Sequence, residues 1–151
     1  MIVEVLSPVS GVRQDVSEMP DPVFATGLVG PGAAILPTMH KQTAVAPVSG
    51  VLAKLHPHAF VVVTDRGPAV LVHLGIDTVH LGGAGFTLLA EEQSRVKAGD
   101  EIVTWDPAYV EQAGHSAICA VVVLDCPFPA QALGEPGSTV DTTDPLFHID
   151  C

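Results

Sequence analysis

The chain has 151 residues, of which 48% are hydrophobic and 15% charged. That composition belongs to a globular chain with a real core, and the length suits one domain spanning residues 1–151. Six Lys and Arg against 17 Asp and Glu leave a net charge of −11, so nucleic-acid backbones and anionic lipid surfaces are disfavoured and basic protein partners favoured.

The longest uninterrupted apolar run, Ala117 to Leu124, is far below the ~20 residues of a membrane helix. The N-terminus carries no basic flank followed by an apolar stretch, so no signal peptide is expected. In chain order, strand-like runs fall at Ile2–Leu6, Ala33–Leu36, Leu52–Leu55, Ala69–His73, Glu101–Trp105 and Ala117–Leu124. Turn signals separate them at Gly30-Pro31-Gly32, Gly82-Gly83-Ala84-Gly85, Gly99-Asp100 and Gly134-Glu135-Pro136-Gly137. Short strands at such spacing predict an all-β antiparallel sandwich or barrel. The pentapeptide Pro8-Val9-Ser10-Gly11-Val12 recurs as Pro47-Val48-Ser49-Gly50-Val51, which suggests a duplicated β unit. Helix is expected only after Asp106-Pro107, ending near Gly114, and as a single turn from Asp21-Pro22. Ala130 to Pro145 reads as loop with one short strand near Gly137–Val140, and a closing strand is expected around Leu146 and Ile149.

The segment from His56 to Gly75 reads as a hairpin whose two apolar runs flank Asp65-Arg66-Gly67-Pro68. A loop of Asp65-Arg66 makes His58 and His73 direct cross-strand neighbours. A loop of Asp65 to Pro68 makes them diagonal on one face; a three-residue loop would place them on opposite faces, and the same-face pairing is the expectation. Cys119, Cys126 and Cys151 form no CxxC pair and are odd in number, so reduced thiols in the cytosol are expected rather than a disulfide framework.

Val72-His73-Leu74-Gly75-Ile76-Asp77-Thr78-Val79 with His58-Ala59-Phe60 resembles the active-site pair of the glucose-family enzyme IIA proteins. These belong to the bacterial phosphoenolpyruvate-dependent sugar phosphotransferase system. The resemblance extends over Ser7–Gly11, Met19–Ala25, Val29–Ile35, Ala46–Gly50, Arg95–Asp100, Gly137–Val140 and Pro145–Ile149. It implies a free-standing cytoplasmic IIA phosphotransferase, linked to sugar transport and its regulation. The donor would be the histidine-containing phosphocarrier protein, and the acceptor the IIB domain of a glucose or N-acetylglucosamine permease.

By that resemblance His73 is the phosphoryl acceptor, attacking through Nε2 while the Gly75 carbonyl orients its other ring nitrogen, and no cofactor is required. His58 steadies the phosphoryl oxygens without carrying the group. Val23, Phe24, Leu28, Val29, Leu71 and Val79 are candidates for an apolar rim that meets the partner, and each competes with a reading as ordinary core. Asp21 and Asp77 correspond to acids that meet basic side chains of the donor; Asp21 also reads as a helix N-cap. Two departures stand out. His56 replaces a Thr common in the family, and either orients the neighbouring ring or points to solvent. Lys54 stands where some relatives carry an apolar residue.

Two other readings are weighed. A zinc hydrolase would take metal on His56, His58 and His73, and incidental zinc at His58 and His73 is compatible with the transferase reading. A biotinyl or lipoyl carrier would present Lys41, but Met39-His40-Lys41 lacks the second methionine of that motif. His40, His80, His115 and His148 show no partner pattern and are assigned to surface or loops.

Overall fold

The computed structural model describes residues 2–151; Met1 lies outside them. The strands in chain order are β1 (Ile2–Leu6), β2 (Gly11–Gln14), β3 (Gly32–Pro37), β4 (Gln42–Val45), β5 (Gly50–His56), β6 (Ala59–Val63) and β7 (Ala69–Leu74). They continue as β8 (Phe86–Leu88), β9 (Arg95–Val96), β10 (Glu101–Trp105), β11 (Cys119–Leu124), β12 (Gln131–Ala132), β13 (Thr139–Val140) and β14 (Pro145–Asp150). Two short helices, α1 (Pro22–Ala25) and α2 (Pro107–Gln112), start as the Asp-Pro signals predict. Asp21 caps the Val23 N–H, and Asp106 caps those of Ala108 and Tyr109. The all-β expectation holds.

Eight strands form one antiparallel sheet in the order β13-β2-β3-β11-β7-β6-β5-β9, and β1-β14-β12 and β4-β10-β8 make two smaller sheets. Alternation decides which side chains face inward. Phe60 and Val62 of β6, Val70, Val72 and Leu74 of β7, and Cys119, Val121 and Val123 of β11 join the main core. The smaller sheets meet them with Val3, Val5, Leu146, Phe147 and Ile149 on one side and Ala44, Ile102, Val103 and Trp105 on the other.

The repeated pentapeptide marks a genuine structural duplication. Each copy leads into a strand, β2 or β5, that pairs with a two-residue edge strand: Gly11 opposite Val140 and Gly50 opposite Val96. The halves also brace each other reciprocally, since Leu6 N–H donates to Pro47 O and Val45 N–H to Pro8 O, both at 2.9 Å. Asp144 and Asp100 repeat the pattern, with carbonyls accepting from Ser7 and Ala46 and carboxylates accepting from the Asp141 and Lys97 N–H groups. Both Gly11 and Gly50 pass so close to a facing carbonyl, of Leu36 and Val63, that a Cβ would collide with it. The pentapeptide therefore records a backbone constraint.

Three expectations are corrected. The stretch 130–145 holds two strands of two residues, β12 and β13, where one was expected. Cys126 and Cys151 are joined as a disulfide, with Cα atoms 5.9 Å apart, whereas Cys119 is buried and free. Their sequence separation of 25 residues concealed the pairing; it arises because β11 and β14 end at the same margin of the fold. A closed loop of that size contributes about 3.5 kcal/mol in the chain-entropy account. The hairpin register is the third correction. Val63 pairs with Ala69 and Ala59 with His73, and Thr64 N–H donates to Pro68 O, so the loop is the three-residue one that sends strand positions 58 and 73 to opposite faces.

Candidate functional site

His58 and His73 nevertheless meet, because His58 does not belong to a strand. β5 and β6 are joined by the two-residue turn Pro57-His58, with His56 paired to Ala59, and a turn residue is free of the strand's alternation. From there the His58 ring lies edge-on to His73, with centroids 5.3 Å apart and an interplanar angle of 74°. The backbone still follows the ladder, since Leu74 N–H donates to His58 O at 2.8 Å. Only the side chain escapes it.

His73 sits on the outer face of the large sheet, in a cross-strand row that runs His56, Ala59, His73, Ala120, Ala34, Gln14. The small side chains at Ala59 and Ala120 leave the imidazole room on both sides. The ring is half-buried, and Phe24 of α1 packs on it with centroids 5.4 Å apart. Its Nδ1 lies 2.6 Å from Gly75 O. A carbonyl only accepts, so the neutral ring carries its proton on Nδ1 and a lone pair on Nε2.

Gly75 takes φ +82, and a Cβ there would come within 2.6 Å of the Thr78 methyl and 2.9 Å of Ser116 O. Thr78 is itself buried, donating its hydroxyl to Leu74 O at 2.8 Å, while Ile76 N–H donates to Ser116 O. These contacts fix the loop that aims the Gly75 carbonyl. Sequence reasoning missed Thr78, Ser116 and Ala59. Thr78 lies inside the motif around His73 and was open to discovery; Ser116, on a distant loop, gave no signal.

Burial holds His73 below the ordinary imidazole range, against the upward pull of the Gly75 carbonyl, Asp21 and Asp77. For His58, burial pushes the ring down to about 4, assisted by the charges of His73 and His56. Both rings are therefore neutral near pH 7. His56 is exposed and stacks on His58 with centroids 5.8 Å apart at 28°, so it orients toward its neighbour rather than pointing away from it.

The rim candidates divide. Leu28, Val79 and Val23 are 80%, 58% and 46% exposed, as a docking rim demands. Phe24 is only 7% exposed and belongs to a second apolar cluster with Met19, Ala34, Ile76, Ile118, Ala120 and Val122. Leu71 and Val29 pack against that cluster half-buried, so Phe24, Leu71 and Val29 take the core reading in whole or part and Leu28, Val79 and Val23 stay exposed. Asp21 is partly buried as the N-cap of α1, and Asp77 is exposed with φ 59. Lys54 is exposed on β5, opposite Val61.

Among the described residues no group of three or more His, Cys, Asp or Glu side chains is placed to hold a metal ion, so the zinc-hydrolase reading lacks a ligand set. No described helix is long and apolar enough to cross a membrane. His80 and His115, assigned to the surface, stack on each other at 6.4 Å.

The curled antiparallel sheet that carries these imidazoles is the fold that comparison with known proteins identifies. Residues 3–127 match the family described as phosphoenolpyruvate-dependent sugar phosphotransferase system, EIIA 1. The chain belongs to that family. It is 39% identical over 123 residues to the glucose-specific EIIA component of Haemophilus influenzae, covering 80% of this chain and 73% of that one. It is 36% identical over 149 residues to the glucose-specific EIIBCA component of Corynebacterium glutamicum, covering 99% of this chain but 22% of that protein. Among solved structures, glucose permease IIA from Mycoplasma capricolum matches with a TM-score of 0.86 and 29% identity, over 99% of this chain and 97% of that one. The chain thus spans about a fifth of the multidomain relatives it resembles and most of the EIIA-only ones. Neither the hydrolase nor the biotinyl reading finds support among these relatives.

Proposed function

We propose that the chain acts as one IIA unit that carries a phosphoryl group on His73 between two partner proteins in sugar uptake. The observation that carries this reading is the 2.6 Å contact from His73 Nδ1 to Gly75 O. It fixes the tautomer and leaves Nε2 as the nucleophile, beside a second imidazole 5.3 Å away. Nε2 attacks the phosphorus of a phosphohistidine on the histidine-containing phosphocarrier protein, the donor's N–P bond breaks, and a new N–P bond forms at His73. Little further chemistry is needed, because phosphoryl transfer depends chiefly on positioning and on stabilising charge on the oxygens. His58 supplies the latter by donating a ring N–H to them.

The exposed Val23, Leu28 and Val79 then exclude water at the junction, and Asp21 and Asp77 meet basic side chains of the donor. Onward transfer goes to a IIB domain of a glucose or N-acetylglucosamine permease, sugars named for several relatives of the chain, another being named for mannose. The proposed location is the cytoplasm, where such partners work and where the Cys126–Cys151 pair is exposed to reductants. No cofactor is needed for these steps. Zinc bound at His58 and His73 would occupy the two rings that handle the phosphoryl group, and would inhibit.

The test is labelling from phosphoenolpyruvate with the two general phosphotransferase proteins. Acid-labile label that disappears in His73→Ala, with the melting temperature kept, is expected. Undiminished labelling of that variant would overturn the acceptor assignment.

A further inference from the structure

Three imidazoles, not two, share this corner of the sheet. The His58 ring lies between the others, 5.3 Å from His73 and 5.8 Å from His56, edge-on to the first and nearly parallel to the second. His56 occupies the end of the same cross-strand row as His73, with only Ala59 between them. It is exposed, so its proton exchanges directly with water.

In the resting protein, burial and the neighbouring His73 and His56 rings oppose protonation of the central His58 ring. A phosphoryl group on His73 reverses that balance, because its oxygens bring up to about two negative charges while the ring, keeping its Nδ1 proton, becomes cationic, a net change of about −1. The other charges facing His56 are few. Lys54 lies on its own strand. Glu92 accepts the Leu55 N–H from the loop before β9. Asp21 and Asp77 lie beyond His58, near His73. The segment 82–85, which packs on Pro57 through Gly83, brings no charge.

We propose that His56 and His58 form a proton-storing pair, in which His56 positions His58 and shares a proton taken up when His73 is phosphorylated. The inference rests on His73 being the acceptor. The balance is simple: the donor's N–P bond breaks as the His73 Nε2–P bond forms, and Nδ1 keeps its proton against Gly75 O. The additional proton comes from water and returns to it when the group leaves for the next protein. Because that proton is bound only in the phosphorylated state, falling pH favours phosphorylation, and the bias fades as pH rises through the pair's titration.

The experiment titrates the imidazoles of the whole chain by NMR between pH 5 and 8.5, before and after labelling from phosphoenolpyruvate. It also measures the transfer equilibrium with the phosphocarrier protein for wild type, His56→Phe and His56→Thr. Phe keeps a stacked ring but cannot titrate. The His56 midpoint should rise by about half a pH unit on phosphorylation, equivalent to about a threefold change in the equilibrium. Both variants should lose that part of the pH dependence. An unchanged His56 midpoint overturns the proposal, as does a His56→Phe variant with the full wild-type pH dependence, which would make the ring a stacking surface alone. Absence of acid-labile label at His73 is a separate outcome, and it overturns both the acceptor assignment and this inference.

Discussion

The two halves of the large sheet share their backbone devices but differ in what covers their outer face. Over β3 and β11, and reaching the edge of β7, residues from 16 to 29 fold back and bury Met19 and Phe24 against Ala34, Ala120 and Val122. Over β6 and β5 no such cluster forms among the described residues, and that side presents His56, His58, Val61 and Lys54 partly or fully to solvent. The same row of the sheet therefore reads Gln14, Ala34, Ala120 under the cover and His73, Ala59, His56 beside it. Duplication supplied the scaffold, and the reactive surface lies where the cover stops. Phe24 is the boundary stone, touching the covered cluster and the His73 ring at once.

The comparison can be sharpened or broken by variants on either side of that boundary. The largest effect is expected at His58→Gln. It keeps a donor near the phosphoryl oxygens but removes the possible positive charge, so label on His73 should persist while chase into IIB and sugar slows a hundredfold or so. Label lost in His58→Gln but retained in His73→Gln would reverse the two roles. Next comes Phe24→Ala, which should cost about 3 kcal/mol in chemical denaturation and also slow labelling, since it strips one wall from His73. A loss of stability with unchanged labelling would detach the cover from the site.

Asp77→Asn should be milder. Asn tolerates the left-handed backbone found there, so stability should hold while docking to the basic donor slows a few-fold and loses part of its salt dependence. Salt-independent transfer, equal in both proteins, would remove steering from the account. The smallest effect concerns acid stability. His58 titrates near 4 when folded and near 6.5 when unfolded, so the unfolded chain binds more protons between those values and stability falls as pH drops through that window. His58→Gln should flatten that part of the curve, and an unaltered acid limb in thermal melts would argue against a depressed His58.

Much of this was legible in the residues. β1 and β10 fall where alternation and turn residues put them, at Ile2–Leu6 and Glu101–Trp105, and both Asp-Pro helix starts obey capping chemistry. What escaped was long-range or side-chain-specific. The His58–His73 contact was expected from strand parity and arises instead from the Pro57-His58 turn, an exception parity cannot express. The Cys126–Cys151 bond depends on where two strands end in space, which spacing along the chain does not reveal. Thr78 stood inside the motif around His73, but its role at the start of a single 3-10 turn shows only in the hydroxyl bonded to Leu74 O.

The reciprocal bracing of the halves carries a consequence for how the protein reaches its native state. β1 has β14 as its ladder partner, and Leu6 and Val45 each borrow an acceptor from the other half. Neither half holds a complete set of hydrogen bonds by itself, so a fragment ending near Gly67 would be left with open edges. Residues 2–6 wait for residues 145–150 before their sheet exists. Such non-local pairing places assembly on the millisecond-to-second scale rather than the microsecond one. During synthesis it leaves the early strands without their final neighbours until the last strand has cleared the ribosome.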